Sequence, residues 1–200
     1  MNAGVETARD ARGPVPEALR RFIWDIQSVV ELAESEREIL MIGRDLMARL
    51  IASPNFLPAA FSEPISGGGQ YQIYIDAMER FCVVGTVLAG GAALAVSHSG
   101  WEIMGVSAGV AGHGPAGDPG ARKSLEKGAV ATLRSGAADV ALTNPSSDEL
   151  AIVLHVYGGE VGKLTRRLVP GEPDAQALGY ANGANAPPYD IFSIQAGIRD

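Results

Sequence analysis

Residues 90–109 read GGAALAVSHSGWEIMGVSAG, and the fold turns on how this stretch is read. Gly90 is followed by five residues, then Val96, Ser97, His98, three more residues, Glu102, six residues and Gly109. Val96 and His98 stand two apart, so on a β-strand they share one face. Ser99-Gly100 is turn chemistry. A turn there lets Glu102, on the returning strand, point to the same side as His98. An imidazole and a carboxylate brought together this way can hold a cation or move a proton. Residues 105–109, GVSAG, also match the G-x-S-x-G nucleophile elbow, which needs a helix directly after it. The residues that follow, VAGHGPAGDPG, cannot make one, so a serine hydrolase is set aside.

On either side of this stretch the pattern is that of short strands. After the Gly67-Gly68-Gly69 turn, Tyr71, Ile73 and Ile75 alternate with Gln72, Tyr74 and Asp76. Apolar runs between turn residues follow: FCVVGTVLA, AALAV, WEIMGV, GAVATL, ADVALTN, LAIVLHVY and KLTRRLV. Strands this closely spaced predict a compact antiparallel sandwich or barrel. The segment GHGPAGDPGARKS (112–124) reads as a flexible loop, as do residues 170–189. Ahead of the barrel, PEALRRFIWDIQSVVELA (16–33) and SEREILMIGRDLMARLIA (35–52) carry apolar residues at helical spacing. Pro16 suits a first helical turn, and Ser35 with Glu38 forms a capping-box pattern. Residues 1–14 read as a loose tail. The expected division is a tail and helical pair over 1–62, then a β-barrel domain over 63–200.

Composition narrows the function. A chain of 200 residues with 46% hydrophobic and 20% charged residues can bury a core. The net charge of −7 supplies no attraction for nucleic acid or an anionic membrane. One cysteine, Cys82, excludes an internal disulfide framework and a Cys-rich zinc site. Three histidines, His98, His113 and His155, limit imidazole chemistry to few candidates. The uncharged run from Cys82 to Val96 falls short of the roughly 20 residues that span a bilayer. The start, MNAGVETARDARG, lacks the apolar stretch of a secretory signal. A cytoplasmic protein is the expectation.

The intervals from Gly90 to Gly109 resemble the first motif of the cupin superfamily, with Val96 where that family has its first histidine. ELAIVLHVYGGEV, with His155, Tyr157, Gly158 and Gly159, resembles the second motif as found in cysteine-dioxygenase-like members; Trp101 and WEIMGVSAG look like that branch too. The resemblance covers roughly residues 66–162. It implies a mainly β fold, a double-stranded β-helix (jelly-roll barrel) with two N-terminal α-helices. It also implies a divalent metal held by His98, Glu102 and His155, with Fe(II) favoured and Ni, Mn or Zn as alternatives. Two histidines and a carboxylate make a facial set suited to non-haem iron. The departures bear on the substrate. Ile73 stands where thiol dioxygenases of this family carry an arginine that clamps a carboxylate, and no histidine lies beyond His155. Cysteine itself is therefore a poor substrate candidate.

Two classes of function remain. One is a metal-dependent oxidoreductase, dioxygenase-like, acting on a small molecule in the barrel; a metal-dependent isomerase or lyase with Glu102 moving a proton fits the same residues. The other is a metal-free cupin that binds a small molecule, which Val96 favours. Glu102 and Tyr157 are the catalytic candidates, and Tyr71, Ile73, Val96 and Trp101 the expected substrate-lining residues. His113, in a Gly-rich segment, is expected to face solvent, and Cys82 to be a buried strand residue. A homodimer is a further expectation.

Overall fold

The computed structural model describes residues 13–64, 66–96, 100–137, 140–159, 166–167, 180–183 and 186–196. Two helices come first. Helix α1 (Glu17–Leu32) buries Leu19, Phe22, Ile23 and Ile26, and α2 (Glu36–Ala52) buries Leu40, Leu46, Met47, Leu50 and Ile51. Ser35 caps α2 by accepting the Glu38 N–H at 3.3 Å, and the Glu38 carboxylate accepts the Glu34 N–H at 3.1 Å. Pro16 is the N-cap of α1, one position before its first turn.

Ten strands follow: β1 (Gly69–Ile75), β2 (Phe81–Leu88), β3 (Ala93–Val96), β4 (Glu102–Ala108), β5 (Val110–Pro115), β6 (Lys123–Glu126), β7 (Val130–Leu133), β8 (Val140–Thr143), β9 (Ala151–Gly158) and β10 (Arg166–Arg167). They form two five-stranded sheets, ordered β1-β2-β9-β4-β7 and β10-β3-β8-β5-β6. Within them β2 pairs with β9, β3 with β8, β4 with β7 and β5 with β6, all antiparallel. Among the eight strands β2–β9, first pairs with last, second with second-last, and so inward: a long hairpin rolled up into a jelly roll.

Period-two alternation divides the core into two layers. From the first sheet, Phe81, Val83, Val87, Ile103, Leu154 and Val156 pack toward the helices. The opposite face, with Val84, Leu88, Met104, Val106 and Val153, meets Leu94, Ala111 and Leu142 of the second sheet inside the barrel.

Three expectations are corrected. Residues 112–124 are not a loose loop: β5, a 3-10 turn over Pro119–Ala121 and β6 occupy most of them. Glycine-rich strands carry little hydrophobic signal, and pairing on both sides of β5 overrides that weakness. The alternation read in β1 is interrupted by a register shift between Gln72 and Tyr74. Tyr71, Ile73 and Tyr74 consequently all join the helix-side core, whereas Ile75 packs against the barrel interior. The described part of 180–190 lies along β1: Ala181 N–H bonds Gln70 O, Asn182 bonds both the N–H and C=O of Gln72, and Tyr189 N–H bonds Ile73 O at 2.7 Å. A short helix, α3 (Ile191–Gln195), follows, capped by Asp190.

Most of the N-terminal tail, most of KLTRRLV, and His98 lie outside the described residues. Among the described residues no helix is long and apolar enough to cross a membrane.

Candidate functional site

The first sheet contributes a line of polar side chains to the barrel interior. Gln70 on β1, Thr86 on β2, His155 on β9 and Glu102 on β4 are each buried. Gln70 Nε2 donates to Thr86 Oγ1 at 3.0 Å, Thr86 Oγ1 lies 3.0 Å from His155 Nε2, and His155 Nδ1 lies 2.7 Å from Glu102 Oε1. The strand register produces this line. His155 stands between Val84 of β2 and Met104 of β4, so its ring reaches diagonally to Thr86 on one side and Glu102 on the other.

Donor arithmetic sets the proton positions. Thr86 accepts from Gln70, and the acceptor for its own hydroxyl proton among the described residues is His155 Nε2. Nδ1 then carries the ring proton and donates it to the Glu102 carboxylate. Gln70, Thr86 and His155 are thus aligned donors, each polarising the next toward Glu102.

Tyr157 completes the group. Its ring stacks on His155 with centroids 5.3 Å apart and planes 5° from parallel. Burial, reinforced by the negative charge of Glu102, pushes its phenol well above the ordinary value. Tyr157 is therefore a proton donor at neutral pH and not a base. Buried polar side chains among the described residues are Gln70, Asp76, Thr86, Glu102, Asn144 and His155, with no lysine or arginine. Asp76 is tied to Arg80 at the β1–β2 turn, and Asn144 to the backbone of Leu88 and Glu149. Among the described residues, no lysine or arginine is buried with Glu102.

The structure brings together Glu102, His155 and Tyr157. It places three of the expected substrate-lining residues, Tyr71, Ile73 and Trp101, apart from them. Tyr71 lies in the helix-side core, its hydroxyl donating to Glu63 O at 3.2 Å and its ring edge-on to Phe61. Ile73 is fully buried in the same layer, against Gly85. Trp101 belongs to that layer too, its indole filling the space where a side chain at position 158 would stand. Val96 is the last residue of β3, paired with Val140 and Arg166.

Sequence reasoning missed two members. Gln70 and Thr86 carry no motif and are recognisable only once register places them beside His155. Gly90 and Gly109, which frame the motif, have structural reasons. A Cβ at Gly90 would strike the Ser147 carbonyl. At Gly109, where φ is +66°, it would strike Leu150 O.

The fit of a metal can be tested on these bonds. An imidazole ligand turns a lone pair to the ion while its other nitrogen donates to a neighbour. As bonded here, the Nε2 lone pair of His155 is engaged by the Thr86 hydroxyl, while Nδ1 donates to Glu102. Among the described residues no three His, Cys, Asp or Glu side chains converge into a set able to hold an ion. His155, with Glu102 behind Nδ1, would hold a metal through Nε2 only by displacing the Thr86 hydroxyl.

Strand order and the barrel interior define the class: a jelly-roll double-stranded β-helix with a polar cluster inside. No family model matches the chain. Solved structures similar to parts of it include the cupin domain of an XRE-family transcriptional regulator from Enterobacter cloacae, at 16% identity and TM-score 0.40 over 47% of this chain and 98% of that one. A double-stranded β-helix protein from Klebsiella pneumoniae is 19% identical with TM-score 0.45, over 59% of this chain and 93% of that one. Salicylate 1,2-dioxygenase from Pseudoaminobacter salicylatoxidans is 15% identical with TM-score 0.39, over 48% of this chain and 26% of that one.

Proposed function

We propose that the barrel binds a neutral or cationic small molecule, and that Glu102, held by His155, moves a proton on it. The observation that carries this reading is the aligned hydrogen-bond chain ending on a buried carboxylate, with no lysine or arginine buried beside it among the described residues. A bound carboxylate or phosphate would bring a second negative charge to Glu102, whereas an amine, amide or hydroxy compound would present a hydrogen-bond donor to the carboxylate. The chemistry follows from the same bonds. Glu102 takes a proton from a C–H or N–H of the ligand and returns it to a neighbouring atom, a shift with no net change of charge or redox state. The His155 Nδ1–H steadies the carboxylate throughout, and the protonated Tyr157 hydroxyl is available to an oxygen that gains charge.

Two measurements test this. Ethanolamine, acetamide and acetate are titrated while the ring nitrogens of isotopically labelled histidines are observed. Ethanolamine or acetamide is expected to shift the His155 signals, acetate to leave them in place, and Glu102→Gln to abolish the response. No response to any of the three would overturn the proposal. Metal content of protein purified without chelator, and after anaerobic Fe(II) loading, decides the other reading. About one iron, nickel, manganese or zinc per chain, lost in both His98→Ala and Glu102→Ala, would establish a metal centre and replace this mechanism with metal-dependent oxidation.

A further inference from the structure

We infer that His113 is a ligand-contacting residue, reaching from the second sheet toward the Glu102–His155 pair. This rests on the reading of the barrel as a small-molecule site and adds the second half of that site.

His113 lies on β5, opposite Leu142 of β8 and Lys123 of β6. It stands two residues after Ala111, whose side chain is buried in the barrel interior, so alternation sends its ring to the same side. It is only partly exposed, and burial holds its pKa below the ordinary value. The carboxylate of Glu102 pulls that value up, which places His113 within its field. Its Nε2 is buried and has no hydrogen-bond partner among the described residues.

A second buried atom shares this condition. Gln70 donates through its amide nitrogen to Thr86 and its side chain also bonds Tyr157, while its Oε1 is buried with no further partner among the described residues. Buried polar atoms normally find partners, and an unmet one destabilises the fold. An unmet acceptor at the Gln70 end of the chain and an unmet His113 nitrogen on the facing sheet are what a bound molecule would satisfy. The ligand class follows. It presents a hydrogen-bond donor to Gln70 Oε1, a polar group to His113 Nε2 and no negative charge to Glu102. Small amides, amino alcohols and polyols meet these terms; simple carboxylates do not.

His113→Phe tests it, because phenylalanine keeps the ring and removes both nitrogens. The full chain is titrated with acetamide and ethanolamine while the His155 ring signals are followed, and thermal stability is measured in parallel. The expected result is unchanged or higher stability together with about tenfold weaker binding of whichever probe shifts the wild-type signals. His113→Leu, a smaller apolar replacement, gives the same readout if the phenylalanine variant does not fold. Equal binding by wild type and variant would overturn this role for His113 while leaving the barrel site in place. Silence of the wild-type signals toward both probes would remove the barrel site, and this inference with it.

Discussion

Thr86→Val is the sharpest probe of the hydrogen-bond chain. Valine nearly matches threonine in volume, so packing changes little and the hydroxyl alone is lost. Two buried groups lose partners at once: Gln70 Nε2 loses its acceptor and His155 Nε2 its donor. Each unmet group costs about 1–3 kcal/mol, so a loss of about 3 kcal/mol is expected. In a domain of this size that lowers the melting temperature by about 6–12 °C. Thr86→Ser keeps the hydroxyl and removes one methyl, with an expected loss near 1 kcal/mol. The assay is urea unfolding of the three proteins, read as a shift in midpoint at constant slope. Nitrogen spectroscopy of His155 adds the proton position, which should be Nδ1–H in the wild type. A loss below about 1 kcal/mol for the valine variant, or a wild-type His155 carrying its proton on Nε2, would refute the chain as drawn.

Further outcomes concern the frame around the site. Arg80 hydrogen bonds hold the Asp76 carboxyl below its ordinary value, so the native state binds its proton less readily than the unfolded chain. Its contribution is present above the unfolded pKa and lost as pH falls through the folded one. Asp76→Asn should accordingly be destabilised at pH 7 and approach the wild type on acidification below about pH 4, as denaturation midpoints across pH will show. Gly109→Ala should lose more than about 2 kcal/mol, from both positive φ and the Leu150 carbonyl, whereas Gly128→Ala, with φ +91° and open space around it, should lose about half that; thermal melts compare them. Ser35→Ala should cost about 1 kcal/mol by removing the α2 cap.

The sequence resolved those parts of the fold where hydrophobic periodicity was strong. Both helices and the apolar strands β2, β4 and β9 lie close to where alternation or helical spacing put them, and Ser35 caps as its spacing with Glu38 suggested. Where glycine thins the pattern, the reading failed. β5 contains Gly112 and Gly114, and there pairing with β6 and β8 makes a strand that propensity alone does not. The candidate site divided along similar lines. Glu102 and His155 could be singled out from motif spacing, but their mutual bond depends on the register of β4 against β9. Tyr71 and Ile73 were assigned to the lumen because a strand has two faces and sequence does not say which one is inside. The shift between Gln72 and Tyr74 adds a further inversion that no local pattern announces.

That reassignment changes what the lumen can be. With Tyr71, Ile73 and Trp101 in the helix-side layer, the barrel interior consists of an apolar part, including Leu88, Leu94, Val106 and Leu142, and the polar chain. The apolar part shows that this jelly roll can fill its lumen with aliphatic side chains. Replacing a buried ionic or polar cluster by well-packed hydrophobic residues is commonly neutral or stabilising. Folding alone therefore gives no reason for four polar side chains on adjacent strands to meet in the interior. The fully bonded members, Thr86 and His155, hold the geometry; the unmet atoms, Gln70 Oε1 and His113 Nε2, weaken it. A cluster satisfied along its spine and unsatisfied at its margins is the observation on which the proposed small-molecule site rests.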